Sequence, residues 1–378
     1  MLFSCCHLCQ GKLYLKPILR LKGMPKAAQY YPDKKEFKRD KGIVLDVRQC
    51  SNCGLVQLKQ KPVSYFKEVI TAATLSEKSR ASRLSQMQEL VSRFRLQGKK
   101  VLEVGSGKGE MVDVLKEAGF IAAGMESSLK SVKIGQVAGR KMIKGYIGDA
   151  QKIKGGPFDA FISLNYLEHL PEPGKVIQNI YNNSTAQAVG LVTVPNLDYL
   201  LKNRSFYEFV ADHLSYFTKN TLTQAFEGNG FEVLECRTIN EDNDIMAIVK
   251  KREVLNITGQ YREVDVLIKD LQKIAADYKA QNKKIAVWGA GHRTLALLAL
   301  SELKDIAYVI DSAKFKQGKF TPLLHLKIVS SEHLREEKVD LVIVAVPGLY
   351  PGEVCKALDA MCLGVEKAIL RDNKIEFI

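Results

Sequence analysis

Four cysteines stand in two Cys-x-x-Cys pairs, Cys6 with Cys9 and Cys50 with Cys53. A turn of this form directs two sulfur atoms at one point, and two such turns supply the four tetrahedral ligands that zinc prefers. The alternative is four unrelated buried thiols, and Cys5 or His7 could replace one ligand of the first pair. We predict a structural zinc site without an open position for water, whose binding energy stabilises the fold.

A glycine-rich turn follows an apolar strand in the segment 101-VLEVGSGKGEMVDVLKEAGF. Gly105 and Gly107 let the backbone turn tightly and approach a ligand closely. The spacing Gly-x-Gly-x-Gly differs from the Gly-x-Gly-x-x-Gly of dinucleotide sites. Glu103 precedes the turn by two residues, where a carboxylate suits a cationic or amino group better than a pyrophosphate. The turn therefore predicts a ligand with positive charge, and a ligand-free strand-to-helix turn is the alternative.

Further polar residues follow the next strands of the predicted sheet. Glu126 ends the run 120-FIAAGME, where it is placed for ribose hydroxyls, and Asp149 follows a short strand at a position suited to an adenine edge. Asn165, after the fourth strand 158-FDAFISL, joins the predicted cofactor-binding residues. Carboxyl ends of parallel strands meet at one edge of a sheet. Together with the glycine turn, these residues predict S-adenosylmethionine as the cofactor.

Two histidines are candidate acid–base groups. His169 lies in the run 165-NYLEHLP, and His213 lies in 207-YEFVADHLSYFT. Imidazole titrates near neutral pH and can take a proton from an acceptor. The predicted catalytic residues are His213, His169, Asp212 and Tyr216. The candidates for stabilising a developing oxyanion are Tyr216, Tyr207 and Asn196. The alternative is that one histidine caps a helix and the other is a satisfied core group.

The elements that must position these residues alternate β-rich runs with amphipathic helices between about 99 and 250. This pattern indicates a parallel sheet covered by helices, and therefore an α/β fold. Helical spacing of apolar residues predicts a leading helix over roughly 64–97 and a helical spacer over about 257–282. A second α/β pattern begins at 284-KIAVWGAGHR. We predict three parts: a zinc-binding module over 1–62, a Rossmann-like cofactor domain with its leading helix over 63–255, and the spacer with a C-terminal Rossmann-like domain over 256–378.

The glycine turn and its acids resemble those of class I S-adenosylmethionine-dependent methyltransferases over about 99–250. The resemblance implies cofactor contacts from Glu103, Gly105, Gly107 and Glu126, and also from Asp149.

A closer resemblance rests on the order of five features. The cysteine pairs, GxGxG, NYLEHL, DHLSYF, and 285-IAVWGAG with 311-DSAKFKQGKFTP follow one another along nearly the whole chain. This order resembles the three-domain sugar C-methyltransferases, which methylate keto-deoxysugars attached to a nucleoside diphosphate. The resemblance implies that His213 removes a proton from the carbon beside the ketone and that His169 assists at the sugar. It also implies that the C-terminal domain helps to hold the nucleotide sugar.

The chain departs from this family at two points. The family carries Tyr-x-Glu-His before LSYF, whereas this chain has Val210 and Asp212 in place of the tyrosine and the glutamate. The family also places a tyrosine before the first methyltransferase helix, whereas 69-VITAATLSEKSR has none and Tyr65 lies several residues early. A different acceptor or methylated position therefore stays open. O- or N-methylation of a glycan precursor is one alternative, with His213 deprotonating a hydroxyl or an amine.

The second glycine turn has its own alternatives. Gly289 and Gly291 are followed by Asp311, 20 residues after Gly291, which is the spacing of a dinucleotide site. The loop reads GxGxxxL, from Gly289 and Gly291 to Leu295, and lacks the third glycine of such a site. Backbone amides at the helix start could instead hold a sugar-nucleotide phosphate, and a purely structural α/β lobe is the third possibility.

The basic charge of the chain is concentrated near its N-terminus. Residues 1–100 hold 21 Lys+Arg and 7 Asp+Glu, and the remainder holds 35 of each. This asymmetry fits a solvated face, a phosphorylated substrate or nucleic acid. An RNA methyltransferase would explain it but not the second Rossmann-like domain, and a non-enzymatic S-adenosylmethionine-binding regulator is a third class. Because no clear basic–aromatic stripe is present, we expect a nucleotide-sugar substrate and consider nucleic acid unlikely as a partner.

The sequence also bears on the compartment. Its apolar runs fall short of the roughly 20 residues that cross a bilayer. The start MLFSCCHLCQ lacks the features of a secretory signal. Paired cysteines that bind metal fit a reducing compartment. We expect a cytoplasmic protein without a membrane partner, as a monomer or homodimer.

Overall fold

A computed structural model describes residues 5–29, 31–67 and 76–378. The chain divides into two compact units, Met1–Glu253 and Val254–Ile378. Within the described residues, the strands of the first unit are β1 Leu19–Met24, β2 Ile43–Gln49, β3 Val56–Leu58, β4 Lys100–Val104, β5 Ile121–Glu126, β6 Met142–Lys144, β7 Phe158–Leu164, β8 Ser184–Pro195, β9 Ser215–Tyr216, β10 Phe231–Ile239 and β11 Asp244–Lys251. Its α-helices are α1 Glu77–Phe94, α2 Glu110–Glu117, α3 Leu129–Val137, α4 Pro173–Asn182, α5 Leu197–Lys202 and α6 Lys219–Glu227.

The large sheet of the first unit has the strand order β10-β11-β8-β7-β4-β5-β6. Strands β8, β7, β4, β5 and β6 run parallel, and β11 pairs antiparallel with both β8 and the edge strand β10. The chain proceeds from β4 towards β6 on one side and resumes with β7 on the other side of β4. Ligands of such sheets bind beyond the carboxyl ends of the strands at this switch point. The predicted cofactor and histidine residues follow β4, β5 and β7, so the topology gathers them at this edge.

A smaller sheet joins the N-terminal residues to the region after His213. Its strand order is β1-β2-β3-β9, and Val56 pairs with Tyr216. Its core combines Leu45 and Val47 with Phe209 from the later segment. Three short strands bury little apolar area by themselves. The residues predicted as a separate module over 1–62 therefore pack within the first compact unit.

The leading helix is shorter than the periodicity predicts. We expected it from about 64, but residues 64–67 form a turn and α1 begins at Glu77. Ser76 caps it, because its side chain accepts a hydrogen bond from the Ser79 amide. The buried face of α1 carries Met87 and Leu90 and packs on the large sheet.

The second unit has its own parallel sheet, with strand order β14-β13-β12-β15-β16-β17. Its strands are β12 Ile285–Trp288, β13 Tyr308–Ile310, β14 Ile328–Val329, β15 Leu341–Val344, β16 Glu366–Arg371 and β17 Lys374–Phe377, of which β17 is antiparallel. Its helices are α7 Thr258–Ala280, α8 His292–Leu300, α9 His333–Glu336 and α10 Tyr350–Ala360. The helix predicted as a spacer is α7, and it buries Leu267, Leu271 and Ala275 in this unit's core. The α/β fold with a second α/β domain is confirmed.

Among the described residues, no helix combines the length with the apolar character that crossing a bilayer requires.

Candidate active site

The first glycine turn depends on glycine for conformation and for space. Gly105, Gly107 and Gly109 have φ angles of +73°, +52° and +79°, which side-chain-bearing residues rarely adopt. A Cβ atom at Gly105 would lie 2.6 Å from the ring of Tyr166, which belongs to the loop after β7. The turn therefore packs directly against the loop that carries His169.

Two buried acids flank this turn. Glu126 is 1% exposed, and its Oε2 and Oε1 accept hydrogen bonds from the amides of Gly107 (3.0 Å) and Ser128 (2.8 Å). Glu103 is 6% exposed, and its Oε2 has no hydrogen-bond partner among the described residues. Burial, reinforced by the nearby Glu126, raises the pKa of Glu103 well above its usual value. A cationic ligand would relieve this penalty, which is what the sequence predicted for Glu103.

The other two predicted cofactor residues differ in exposure. Asp149 ends a 3₁₀ turn, Ile147–Asp149, and its exposed carboxylate lies 2.7 Å from Lys67 Nζ. Asn165 lies deeper, donates from Nδ2 to Asp244 (3.1 Å) and accepts from the Thr193 hydroxyl (2.6 Å). Because Asn165 lines the cavity that contains His213, the structure places it towards the histidines. Its role as a cofactor ligand stays a prediction.

The structure brings the two histidines together. His169 ends the 3₁₀ turn Leu167–His169, and its ring centroid lies 4.7 Å from that of His213 with the planes at 82°. The Nδ1 of His169 lies 3.0 Å from the backbone carbonyl oxygen of Asp212, which fixes the ring orientation. Burial lowers the pKa of both histidines, and that of His213 falls to about 3 with a further contribution from His169. Both rings are therefore neutral and able to accept a proton.

Glu168 is a residue of this cluster that the sequence reasoning did not select. It is 2% exposed, and one carboxyl oxygen lies 3.9 Å from His169 Nε2. Its other oxygen has no hydrogen-bond partner within the described chain. Burial raises the pKa of Glu168 to about 8. The available signal was an acid directly before a histidine at the end of a parallel strand.

Asp212 and Tyr216 support the site through other groups. The Asp212 carboxylate accepts hydrogen bonds from the Tyr65 hydroxyl (2.7 Å) and the Ala28 amide (2.6 Å). The Tyr216 hydroxyl accepts from the Val210 amide (3.0 Å). Tyr65 lies several residues before the position at which the sugar C-methyltransferases carry their tyrosine, and its hydroxyl group contacts Asp212. Residues 69–75 of the segment without tyrosine lie outside the described residues.

A cavity of about 230 Å³ opens beside His213. Its polar lining includes Asn165, Asn196, His213, Tyr216, Asn243 and Asp244. The volume is below the roughly 300–1,000 Å³ of pockets for drug-sized ligands. Amide and carboxylate groups around a small cavity suit the hydroxyl-bearing part of a small acceptor. Among the two other candidates for oxyanion stabilisation, Asn196 lies in this lining, whereas Tyr207 is largely exposed.

The four predicted cysteine ligands converge at one point. Their sulfur atoms all lie within 4.8 Å of one another, with Cys6 and Cys53 at 3.5 Å and Cys9 and Cys50 at 3.6 Å. Tetrahedral zinc with Zn–S bonds of about 2.3 Å separates its sulfurs by roughly 3.8 Å. Cys5 lies apart from the cluster and bonds Gln10. The donor set therefore fits a tetrahedral soft metal.

The second glycine turn differs in its electrostatics. Gly289 has a φ of +113°. The Asp311 carboxylate accepts hydrogen bonds from the amides of Ala290 and Ala313, both at 2.8 Å, and from Lys316 Nζ at 2.9 Å. Asp311, which has the spacing of the acid in a dinucleotide site, is thus already hydrogen-bonded within its own unit.

Two family models match the chain. Residues 79–236 match the family described as "Methyltransferase domain", and residues 251–363 match "C-methyltransferase C-terminal domain". The chain is an S-adenosylmethionine-dependent methyltransferase.

Relatives of this methyltransferase include C-methyltransferase NovU of Streptomyces niveus, which is 23% identical over 364 residues and 86% of each chain. The ubiquinone biosynthesis O-methyltransferase of Bordetella avium is 30% identical over 102 residues, which are 25% of this chain and 42% of that protein. The two domain matches and this relative, aligned over 86% of each chain, support a similarity to C-methyltransferases.

Solved structures similar to this methyltransferase cover about half of the chain. PH0226 protein from Pyrococcus horikoshii OT3 aligns with a TM-score of 0.41 at 14% identity, over 50% of this chain and 99% of that one. Magnesium protoporphyrin IX methyltransferase from Synechocystis PCC 6803 with bound SAH aligns with a TM-score of 0.39 at 15% identity, over 48% and 90%.

Proposed function

We propose that this enzyme transfers a methyl group from S-adenosylmethionine to carbon beside the ketone of a nucleotide-linked deoxysugar, with His213 as the general base. The observation that carries the proposal is the edge-to-face pair of His169 and His213, of which His213 lines a small polar cavity. The resemblance to sugar C-methyltransferases and the relative named as a C-methyltransferase support the same chemistry.

The reaction needs a base, a donor and charge stabilisation. Hydrogen next to a ketone is acidic only because the resulting enolate spreads charge onto oxygen. In this proposal His213 takes that proton, His169 assists at the sugar, and Asn196 or Tyr216 stabilises the oxygen. Asp212 orients His169 through its carbonyl group and lies in a network with Tyr65.

The cofactor residues act on different parts of the donor in this proposal. Glu103 faces the positive charge of the methionine portion, Gly105 and Gly107 let the backbone approach it, and Glu126 bonds the ribose. Asp149 and Asn165 complete the site as proposed ligands. The bound cofactor supplies an electrophilic methyl group on sulfur.

The proposed function is tested by incubating the enzyme and S-adenosylmethionine with a panel of nucleoside-diphosphate keto-sugars. Mass spectrometry detects the added methyl group, and NMR assigns it to carbon, oxygen or nitrogen. We expect His213→Gln to lower turnover by about 10²–10⁴-fold with unchanged cofactor affinity. His333→Gln, on α9 of the second unit, is the matched control and retains activity. Cofactor binding without methylation of any keto-sugar contradicts the proposal.

O-methylation of a sugar or glycan precursor is the second candidate. It is favoured by the 30% identity to ubiquinone O-methyltransferases over 102 residues and by Val210 and Asp212, which replace two polar groups of the keto-sugar enzymes. A new methyl signal on oxygen rather than carbon would select it. RNA in the same panel tests the remaining alternative.

We also propose that Cys6, Cys9, Cys50 and Cys53 hold a structural zinc ion. The hydrogen bond between the sulfur atoms of Cys6 and Cys53 raises the pKa of Cys6 and lowers the pKa of Cys53 to about 5. Zinc would let all four sulfurs be thiolates. We expect one zinc per chain by elemental analysis, lost in Cys53→Ser with a lower melting temperature. We expect Cys5→Ser to keep the metal, because Cys5 precedes Cys6 in the sequence but does not belong to the cluster.

A further inference from the structure

The carboxyl group of Glu168 is the unexplained polar group of the active site. It is almost fully buried, one oxygen lacks a hydrogen-bond partner among the described residues, and the proposed reaction assigns it no task. Burying a carboxyl group without partners is costly. One carboxyl oxygen and one nitrogen from each of His169 and His213 lie within 4.8 Å of one another. The three groups therefore lie close enough for a charge on one of them to act on the others.

The tautomer of His169 follows from its surroundings. A backbone carbonyl oxygen only accepts hydrogen bonds, so the Nδ1 that faces Asp212 carries a hydrogen. The Nε2 of neutral His169 then presents a lone pair to the Glu168 carboxyl oxygen 3.9 Å away. Two acceptors face each other unless a proton lies between them. The pair holds this proton while Glu168 is protonated, and its loss leaves a carboxylate with a negative charge beside His169.

The proposed reaction adds a positive charge to the buried cluster of Glu168, His169 and His213. When His213 takes a proton, its imidazolium lies against the ring of His169, and burial disfavours the charge. The low pKa of His213, about 3, expresses this cost. A neutral histidine of that pKa is a weak base unless a negative charge is close. Among the described residues, Glu168 supplies the carboxyl oxygen that lies within 4.8 Å of a nitrogen of each histidine.

We propose that ionised Glu168 is the counter-ion of the histidine pair, acting through His169 to stabilise the proton that His213 takes from the acceptor. The inference rests on the proposed function and deepens it. The C–H bond breaks, its proton forms an N–H bond on His213, and its electron pair forms the new bond to the methyl carbon. The S–CH₃ electron pair stays on sulfur, giving S-adenosylhomocysteine. The cluster passes from a net charge of −1 to 0, and the proton leaves to water after the reaction.

The pH dependence follows from the groups around Glu168. His169 faces it from the same turn and His213 from the segment before β9, while the charge of Asp244 on β11 raises its pKa and Tyr216 on β9 lies within electrostatic range. Burial is the main cause of its raised pKa of about 8. Below that pH the carboxyl group is protonated and gives no counter-charge. Turnover should therefore rise as the pH increases through about 8.

The test compares Glu168→Gln, Glu168→Asp and the control Ser163→Ala, which changes a buried polar group on β7. Glutamine keeps the shape of the protonated acid but cannot ionise. We expect wild type and Glu168→Gln to have similar kcat at pH 6 and to diverge by about 10–100-fold at pH 9. The KM values stay unchanged, Glu168→Asp recovers part of the alkaline rise, and Ser163→Ala follows wild type. A merely structural role would lower kcat equally at all pH values.

A substrate-free measurement separates this inference from the proposed function. Nitrogen NMR of the histidine rings reports the protonation of His169 and His213 without any acceptor. We expect the ring nitrogen shifts of wild type to change near pH 8 as the neighbouring Glu168 ionises, and Glu168→Gln to remove this change, even if no sugar tested is methylated. Three results would overturn the inference: identical pH profiles, ring titrations unaffected by Glu168→Gln, or one equivalent of a divalent metal lost in that variant.

Discussion

The two glycine turns of this methyltransferase share a backbone design and differ in charge. In each, an acid at or after the second strand accepts a hydrogen bond from a turn amide: Glu126 from Gly107 at 3.0 Å and Asp311 from Ala290 at 2.8 Å. The first turn adds a buried acid, Glu103, two residues before its first glycine.

The second turn has apolar Val287 at the position equivalent to Glu103, and it supplies its own cation. Lys316 Nζ lies 2.9 Å from Asp311 and 3.1 Å from the Ala290 carbonyl oxygen. The first turn thus places two buried acids where a cationic cofactor can favour their ionised forms, whereas the acid of the second turn is neutralised within its own unit. The same strand–turn–helix unit can serve as a binding site or as a stable lobe, and the neighbouring charges distinguish the two uses.

The largest expected effect comes from adding one methyl group to each turn. Gly105→Ala places a Cβ against Tyr166 at 2.6 Å and a side chain at φ +73°. Gly291→Ala meets nothing within 4 Å. We expect calorimetry to detect no S-adenosylmethionine binding to Gly105→Ala at concentrations that saturate wild type, and normal binding to Gly291→Ala. Melting temperatures check that both variants fold. Equal losses in both would remove the distinction between the turns.

The second prediction concerns protons released on binding. Because a cation favours ionised Glu103, S-adenosylmethionine lowers the raised pKa of this carboxyl group, and binding releases protons at pH values between the pKa of the complex and that of the free protein. Affinity therefore increases with pH until free Glu103 is ionised. The binding enthalpy should vary with the ionisation enthalpy of the buffer in wild type and in Asp311→Asn.

Glu103→Gln should abolish that buffer dependence. It should also weaken binding by about 10–100-fold, the value of a charge-assisted hydrogen bond of about 1.5–3 kcal/mol. Unchanged proton release in Glu103→Gln would show that a group other than Glu103 loses the proton when the cofactor binds.

The contrast also marks what the sequence can predict. The glycine turns and the acids beside them follow from local spacing, and the parallel sheet follows from alternating elements, so Glu103, Glu126 and Asp311 were recognised from the sequence. Contacts between distant segments carry no such local signal. The Tyr65–Asp212 hydrogen bond spans 147 positions, and the pairing of β3 with β9 joins the N-terminal residues to the segment after His213. Glu168 was missed because its importance depends on burial beside a histidine from another segment.

The third prediction tests the internal neutralisation of the second turn. Burial raises the pKa of Asp311, but Lys316 and two backbone amides together hold it below its usual value. The corresponding stability is present above the unfolded-state pKa and is lost as the pH falls through the folded-state pKa. We expect Lys316→Met to cost about 1–2 kcal/mol of unfolding free energy at pH 7 and less near pH 3. Denaturant titration measures it, and cofactor affinity should be unaffected.

The smallest effect is expected at the exposed edge of the first turn. Asp149 pairs with Lys67 at 2.7 Å, with both side chains substantially exposed, and such pairs contribute about 0–1 kcal/mol. If Asp149 accepts a hydrogen bond from the adenine edge, Asp149→Ala weakens S-adenosylmethionine binding by about 3–10-fold, and Asp149→Asn retains much of the affinity because it keeps an acceptor oxygen. Lys67→Met, which removes the ion pair but keeps the acid, should leave affinity within about twofold. Equal affinity in Asp149→Ala and wild type would confine Asp149 to its ion pair, and the charge that distinguishes the first turn would then lie in Glu103 and Glu126.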